Sequence, residues 1–207
     1  MNKMDEQIVV APRKNIFQEE TLTFQGVTSN QAQIEPIMAA LSTYFDEMRR
    51  GDAEENEAYK QPIPYVVIRR GSQVYLYERL QKGGEARLHN KFSIGFGGHM
   101  NTGSANTFSD LITENMMREL QEELYIERDM MENVDTIGLI NDDDTDVGRV
   151  HIGILTVIDV VKDAIISIKE TDQLSGRWIS ITALNEDATF NRLERWSQYV
   201  ARILQRS

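Results

Sequence analysis

The sequence predicts an α/β fold: a mixed β-sheet with helices packed on its faces, preceded by a strand-and-helix extension. Three observations carry that expectation. Segments rich in valine, isoleucine and tyrosine recur between Tyr65 and Ile181, helix-period apolar stripes interrupt them at few places, and glycine-bearing or acidic turns separate them. At 207 residues, with 41% hydrophobic and 27% charged side chains, the chain can build one large domain or a domain with a sizeable extension.

Residues 1–60 read as the extension. Ile8-Val9-Val10 and Leu22-Thr23-Phe24 are short strand candidates. Ile34, Ile37, Met38, Leu41, Tyr44, Phe45 and Met48 recur at helical spacing, so an amphipathic helix is expected between Asn30 as N-cap and Gly51 as stop, with Pro36 able to delay its start. This helix is expected to pack on the core or to meet a second copy of the chain in a homodimer. The polar run Gly51 to Lys60 reads as a loop.

Residues 61–207 read as the main domain. Tyr65–Ile68 and Val74–Tyr77 form an expected hairpin about Arg70-Gly71-Ser72, and Phe92-Ser93-Ile94 runs into Gly95-Phe96-Gly97-Gly98. A helix is expected from about Ser109 to Leu124, capped by Thr107 and Asp110. Strands follow at Val134 to Ile140 and His151 to Val161, joined by an acidic turn, then at Ile165 to Ile168 and Arg177 to Ile181. Phe190, Leu193, Trp196, Val200, Ile203 and Leu204 mark a C-terminal helix.

Composition narrows the function classes. Lys+Arg of 22 against Asp+Glu of 33 gives a net charge of −11, which repels a nucleic-acid backbone. It repels a small anionic substrate too, unless a bound cation reverses the field locally. The absence of cysteine excludes disulfides, thiolate metal sites and a cysteine nucleophile. No stretch approaches the roughly 18 apolar residues of a membrane span, and the N-terminus lacks a secretory pattern, so a cytoplasmic location is expected.

The chemistry is concentrated between Gly97 and Leu124. Ile112, Met116, Leu120 and Leu124 form one apolar stripe, and Glu119, Glu122 and Glu123 stand beside it at i, i+3 and i+4. Three carboxylates so close repel one another unless a cation joins them. Mg²⁺ suits such a set because it takes oxygen ligands and keeps positions for water and substrate phosphates. The glycines upstream let the backbone approach closely and offer their amides and carbonyls to a phosphate or a metal.

This segment resembles the Nudix box, G-x5-E-x7-R-E-U-x-E-E-x-G-U with U apolar. Arg118-Glu119-Leu120-Gln121-Glu122-Glu123 matches the core of its second half, and Ile126 matches the final apolar position. Tyr125 replaces the box glycine, Asp110 stands at the first acidic position, and the glycine-to-helix loop is about six residues longer than the box spacing. The resemblance implies a Nudix α/β/α sandwich and a Mg²⁺-dependent hydrolase, with Mn²⁺ as the alternative ion. It implies metal ligation by Glu119, Glu122 and Glu123, joined by the Gly98 carbonyl, with Arg118 in the catalytic set and Asp110 or Glu114 as its partner. The substrate class it implies is a nucleoside diphosphate derivative or a related organic pyrophosphate, contacted by Gly97, Gly98 and His99. It also places an acidic general base or added ligand in the stretch Glu170-Thr171-Asp172, with Glu170 first.

Other features compete with this reading. A nucleotide-sensing module of the same fold is the non-catalytic alternative; such modules commonly lose box carboxylates, and all three stand here. Gly-Gly-His is also similar to isopentenyl diphosphate isomerases, whose chemistry is implied to need a cysteine; this chain has none, so that alternative is rejected. Asp142, Asp144 and Asp146 alternate as in a calcium loop, but Val147 occupies the position that needs glycine, so a solvated turn is expected. His151 reads as a surface or satisfied core residue. Arg69, Arg70, Arg79, Lys82 and Arg87 read mainly as solvated strand ends.

Overall fold

The computed structural model describes residues 2–80, 90–105, 107–169 and 171–205. It is α/β, as expected, with two compact units: Met1–Tyr65, Gly97–Arg118 and Ile137–Leu155 in the first, and Val66–Phe96, Glu119–Thr136 and Thr156–Ser207 in the second. Among the described residues no helix is long and apolar enough to cross a membrane.

In the first unit, β1 (Gln7–Pro12) pairs antiparallel with β3 (Asp46–Arg49), from Gln7↔Arg49 to Val10↔Asp46. It continues onto the start of β4 (Tyr59–Arg70) at Ala11↔Lys60. Successive strand side chains point to opposite faces, and both faces of β1 are covered. Val9 and Ala11 enter the main core with Ile37, Leu41, Met100, Phe108 and Ile152, while Ile8 and Val10 meet Ala53. That is why Ile8-Val9-Val10 is continuously apolar.

α2 (Gln31–Tyr44) starts as expected, with the Asn30 Oδ1 accepting from the Ala32 amide at 3.1 Å. It buries Ile34, Ile37, Ala40 and Leu41, and Pro36 lies inside it. It stops at Tyr44, earlier than expected, because Asp46 to Arg49 leave the helix to pair with β1. Gly51 lies in α3 (Arg50–Ala53), where a loop was expected.

The expected strand Leu22-Thr23-Phe24 does not form. Gln18, Glu19 and Glu20 take positive φ of 46°, 52° and 69°, which reverses the chain, and Leu22 and Phe24 pack against the core instead. The ladder position belongs to β2 (Gly26–Thr28), which pairs with Leu139–Asn141 of β9 (Met131–Asn141).

In the second unit, β5 (Gln73–Arg79) pairs antiparallel with β12 (Leu174–Ser180) over its whole length, from Gln73↔Ser180 to Arg79↔Leu174. It turns back from β4 at Arg70↔Gln73, where Gly71 supplies a φ of +55°. β6 (Phe92–Ser93) lies on β5 and β7 (Gly95–Phe96) on β4. β8 (Leu124–Tyr125) and β11 (Ser167–Ile168) form a separate pair.

The C-terminal helix begins later than the apolar spacing suggests. Phe92 donates its amide to the Arg192 carbonyl and accepts from the Glu194 amide, both at 2.8 Å, which commits that backbone to a bridge. The short α6 (Ile181–Leu184) and α7 (Asp187–Phe190) precede it, and α8 runs Arg195–Leu204. β10 (His151–Val160) is hydrogen-bonded to β4 and β9. α4 (Phe108–Glu123) and the short α5 (Asp146–Val150) complete the elements.

Candidate functional site

α4 begins where the sequence places it. The Thr107 hydroxyl accepts from the Asp110 amide at 3.1 Å and donates to the Asp110 carboxylate at 2.7 Å. Ile112, Met116, Leu120 and Leu124 are all buried, so the predicted apolar stripe is the inner face. Glu119 and Glu123 are half-buried and Glu122 is exposed, all three in the second unit. The Glu123 carbonyl accepts from the Lys169 amide at 2.9 Å, which fixes the helix end.

The Glu123 charge is felt inside that unit. Tyr77 is fully buried and donates its hydroxyl to the Gly95 carbonyl at 3.0 Å. Burial pushes its phenol well above the ordinary value, and the charges of Glu194 and Glu123 act in the same direction. Negative charge held this close to a buried sheet is costly unless a cation offsets it. Glu170 lies outside the described residues, as do Lys82 and Arg87.

The glycine turn belongs to the first unit. A β-carbon built on Gly97 would lie 1.7 Å from the Pro64 carbonyl oxygen, so only glycine lets the two backbones approach. After Gly98, the His99 carbonyl accepts from Arg118 at 2.8 Å, and Arg118 also donates to the Asn115 side chain at 3.2 Å. The sequence offered Asp110 or Glu114 as Arg118's partner; Asp110 caps the helix start, and a β-carbon on Gly103 would lie 2.6 Å from a Glu114 carboxylate oxygen.

Buried Asn115 extends the clamp. Its Oδ1 accepts from the Asn101 amide, and its Nδ2 donates to the Asn101 and Leu111 carbonyls, each at 2.9 Å. β1 holds the same loop from the other side. Val9 donates its amide to the Met100 carbonyl at 2.8 Å, and Asn101 donates its side chain to the Gln7 carbonyl at 2.9 Å.

His99 and His151 stand together, although only His99 stood out in the sequence. Their Nε2 atoms are 3.1 Å apart, and His99 Nε2 is 3.3 Å from Glu54 Oε1. Among the described residues these three form the group of metal-ligating side chains whose donor atoms all lie within 4.8 Å of one another. Burial pushes the His151 imidazole down to about 4, against the opposing effect of its bond to the Val147 carbonyl. The hydrogen bond from His99 holds the Glu54 carboxyl down to about 2, although burial works against it. No periodicity or spacing marked Glu54, which sits in an acidic run; the nearest signal for His151 was its place at the head of a long apolar strand.

The acidic turn is only partly the solvated turn expected: Asp144 and Asp146 are exposed, but its start is not. Asp142 is buried, accepting from Gln25 at 2.7 Å, and Thr145 caps α5 through the Gly148 amide at 3.1 Å. Asp143 accepts from Arg13 at 2.8 and 2.9 Å and from the fully buried Lys60 at 2.8 Å. Burial alone would raise the Asp143 carboxyl, but hydrogen bonds from Arg13, Lys60 and Asn141 hold it well below the usual range. Burial in turn pushes Lys60 down to about 8, with Asp143 opposing. Arg69 pairs with Asp159 at 2.6 Å and Arg70 stacks over Trp178 at 4.0 Å, which accounts for both without a substrate. Arg79 donates to the Tyr77 hydroxyl at 3.2 Å.

Comparison with known proteins places the chain. No family model matches the sequence. Protein YmaB of Bacillus subtilis (strain 168) is 52% identical over 206 residues, 99% of this chain and 100% of that protein. The crystal structure of Tm1382, provisionally named a Nudix hydrolase, superposes with a TM-score of 0.79 at 29% identity, covering 97% of this chain and 99% of that one. A bifunctional NMN adenylyltransferase/ADP ribose pyrophosphatase from Francisella tularensis, solved with AMP and a Mn ion, shares the fold. Its TM-score is 0.52 at 15% identity, covering 71% of this chain and 41% of that one.

Proposed function

We propose that this chain, which belongs to the Nudix superfamily and is a hydrolase, splits the diphosphate linkage of a nucleoside diphosphate derivative or related organic pyrophosphate with Mg²⁺ or Mn²⁺ held by Glu119, Glu122 and Glu123. The observation that carries this reading is the order Arg118-Glu119-x-x-Glu122-Glu123 on α4, with Arg118 locked onto the loop that follows Gly97-Gly98. In this reading residues 61–207 are the hydrolase domain and residues 1–60 its extension, whose β1 braces that loop.

The donor set fits the ion. Carboxylate oxygens are the hard ligands that Mg²⁺ and Mn²⁺ prefer, and an exposed Glu122 beside half-buried Glu119 and Glu123 leaves them within reach of water and phosphate. When bound, the ion neutralises phosphate oxygens and lowers the pKa of a coordinated water.

The chain's own residues supply position. Arg118 and Asn115 fix the backbone from His99 to Asn101, so the glycine turn keeps one shape as substrate arrives. Gly98 carries no side chain to obstruct a phosphate there, and His99 flanks it. Glu170, which precedes β12 in the sequence, is the base we assign to the attacking water.

The test is turnover of a panel of nucleoside diphosphate derivatives and other organic pyrophosphates by the full chain, with Mg²⁺ or Mn²⁺, resolving products by chromatography. Cleavage at the diphosphate with either ion, lost on chelation, is the expected result. A chain that binds members of the panel but turns over none with either ion is a sensor, and the hydrolytic reading fails.

A further inference from the structure

We infer that Glu54, His99 and His151 form a second metal site, which takes one divalent transition ion such as Zn²⁺ and shares no ligand with the glutamates of α4. The three donors are Glu54 Oε1 and the two Nε2 atoms. For metal–ligand bonds of about 2.0 to 2.1 Å, the edge of a tetrahedron is about 3.3 Å. The separations of 3.1 Å between the imidazoles and 3.3 Å from His99 to Glu54 already match two such edges.

The surroundings are those of a ligand set. His151 Nδ1 lies 2.6 Å from the Val147 carbonyl, so it carries the proton, and the Nε2 lone pair faces His99. Metal-ligating histidines are held in this way, with the distal nitrogen donating to a carbonyl or carboxylate. The three side chains come from separately braced segments. The Glu54 amide donates to the Arg50 carbonyl at 2.9 Å, the His99 carbonyl is held by Arg118 at 2.8 Å, and His151 leads β10.

Two imidazoles and one carboxylate favour zinc and its transition-series neighbours over Mg²⁺, which prefers oxygen alone. Arg50 Nε lies 3.5 Å from the same Glu54 oxygen, too long for a strong hydrogen bond, so it does not tie up the lone pair. A bound ion would staple the segment after α3 to the glycine loop and to the head of β10, all within the first unit.

The site is tested on the full chain stripped with a chelator, using Co²⁺ and Zn²⁺ as probes. One equivalent of Co²⁺ should give the visible absorption of a low-coordinate nitrogen–oxygen site, displaced by Zn²⁺ and unmoved by excess Mg²⁺. Glu54→Gln and His99→Asn should each weaken Zn²⁺ binding roughly a hundredfold, at or beyond the loss seen when an outer-shell partner is removed. Glu123→Gln should leave it unchanged. Should a variant fail to fold, imidazole nitrogen NMR of the unaltered chain decides: Zn²⁺ should move the Nε2 resonances of His99 and His151, and excess Mg²⁺ should not. Binding lost in Glu123→Gln but kept in Glu54→Gln and His99→Asn, or unmoved His99 and His151 resonances, overturns the proposal. None of these readouts depends on hydrolysis.

Discussion

The glutamate stripe on α4 and the Glu54–His99–His151 cluster are both sets of potential metal ligands, yet they are built on opposite principles. The stripe lies on one helix, half in solvent, and its members are neighbours because a helix places i, i+3 and i+4 on one face. The cluster is largely buried and gathers three segments of distant sequence. A surface stripe of hard oxygens is suited to ions and phosphates that come and go. A buried nitrogen-rich cluster is suited to an ion that stays. The contrast predicts that a site held by several independent segments keeps its ion longer than one held by a single helix.

The sharpest way to break that contrast is at the stripe. Glu123→Gln keeps size and helix propensity while removing the charge, so activity should fall by about a hundredfold to a thousandfold with unchanged circular dichroism. A folded variant with full activity would take the stripe out of the chemistry.

The first unit's buried ion network should respond in stability instead. Asp143→Asn leaves Lys60 buried beside a neutral amide and should cost about 3 kcal/mol in urea unfolding, with little change in kcat. The same network sets an acid limit. Asp143 has a folded pKa below its ordinary 3.8, so folding favours its ionised form; that stabilisation is complete above the ordinary value and is lost as the pH falls below it. The unfolding midpoint of the unaltered chain should therefore drop below about pH 4, more steeply than that of Asp143→Asn.

A smaller effect belongs to the clamp between helix and loop. Asn115→Ala removes the bonds to Asn101 and one contact of Arg118, and kcat/KM should fall about tenfold through a loosened glycine turn. An unchanged value would show that Arg118 alone suffices. The smallest effect is expected from Tyr125→Gly, which restores the box residue. Tyr125 is 62% exposed and touches the Lys169 ammonium at 5.0 Å, so activity should change by less than about threefold. Complete loss would mean that the helix end shapes the substrate pocket.

Taken residue by residue, the legible parts were those decided by short-range geometry. The inner stripe of α4, the caps at Asn30 and Thr107 and the β4–β5 hairpin all follow from the properties of residues near in sequence. Where a periodic pattern ran past its element, at Met48 and at Phe190 to Leu193, long-range backbone pairing won over local propensity.

By itself the sequence determined the fold class, the glutamate order on one helix and the family resemblance, because helical and strand periods translate directly into faces. Only the tertiary structure decided that Arg118 grips the His99 carbonyl, that Asp143 meets Arg13 across 130 positions, and that His151 faces His99 across 52. The physical reason is that such contacts are fixed by which strands and loops pack together, and packing of distant segments leaves no period in the chain.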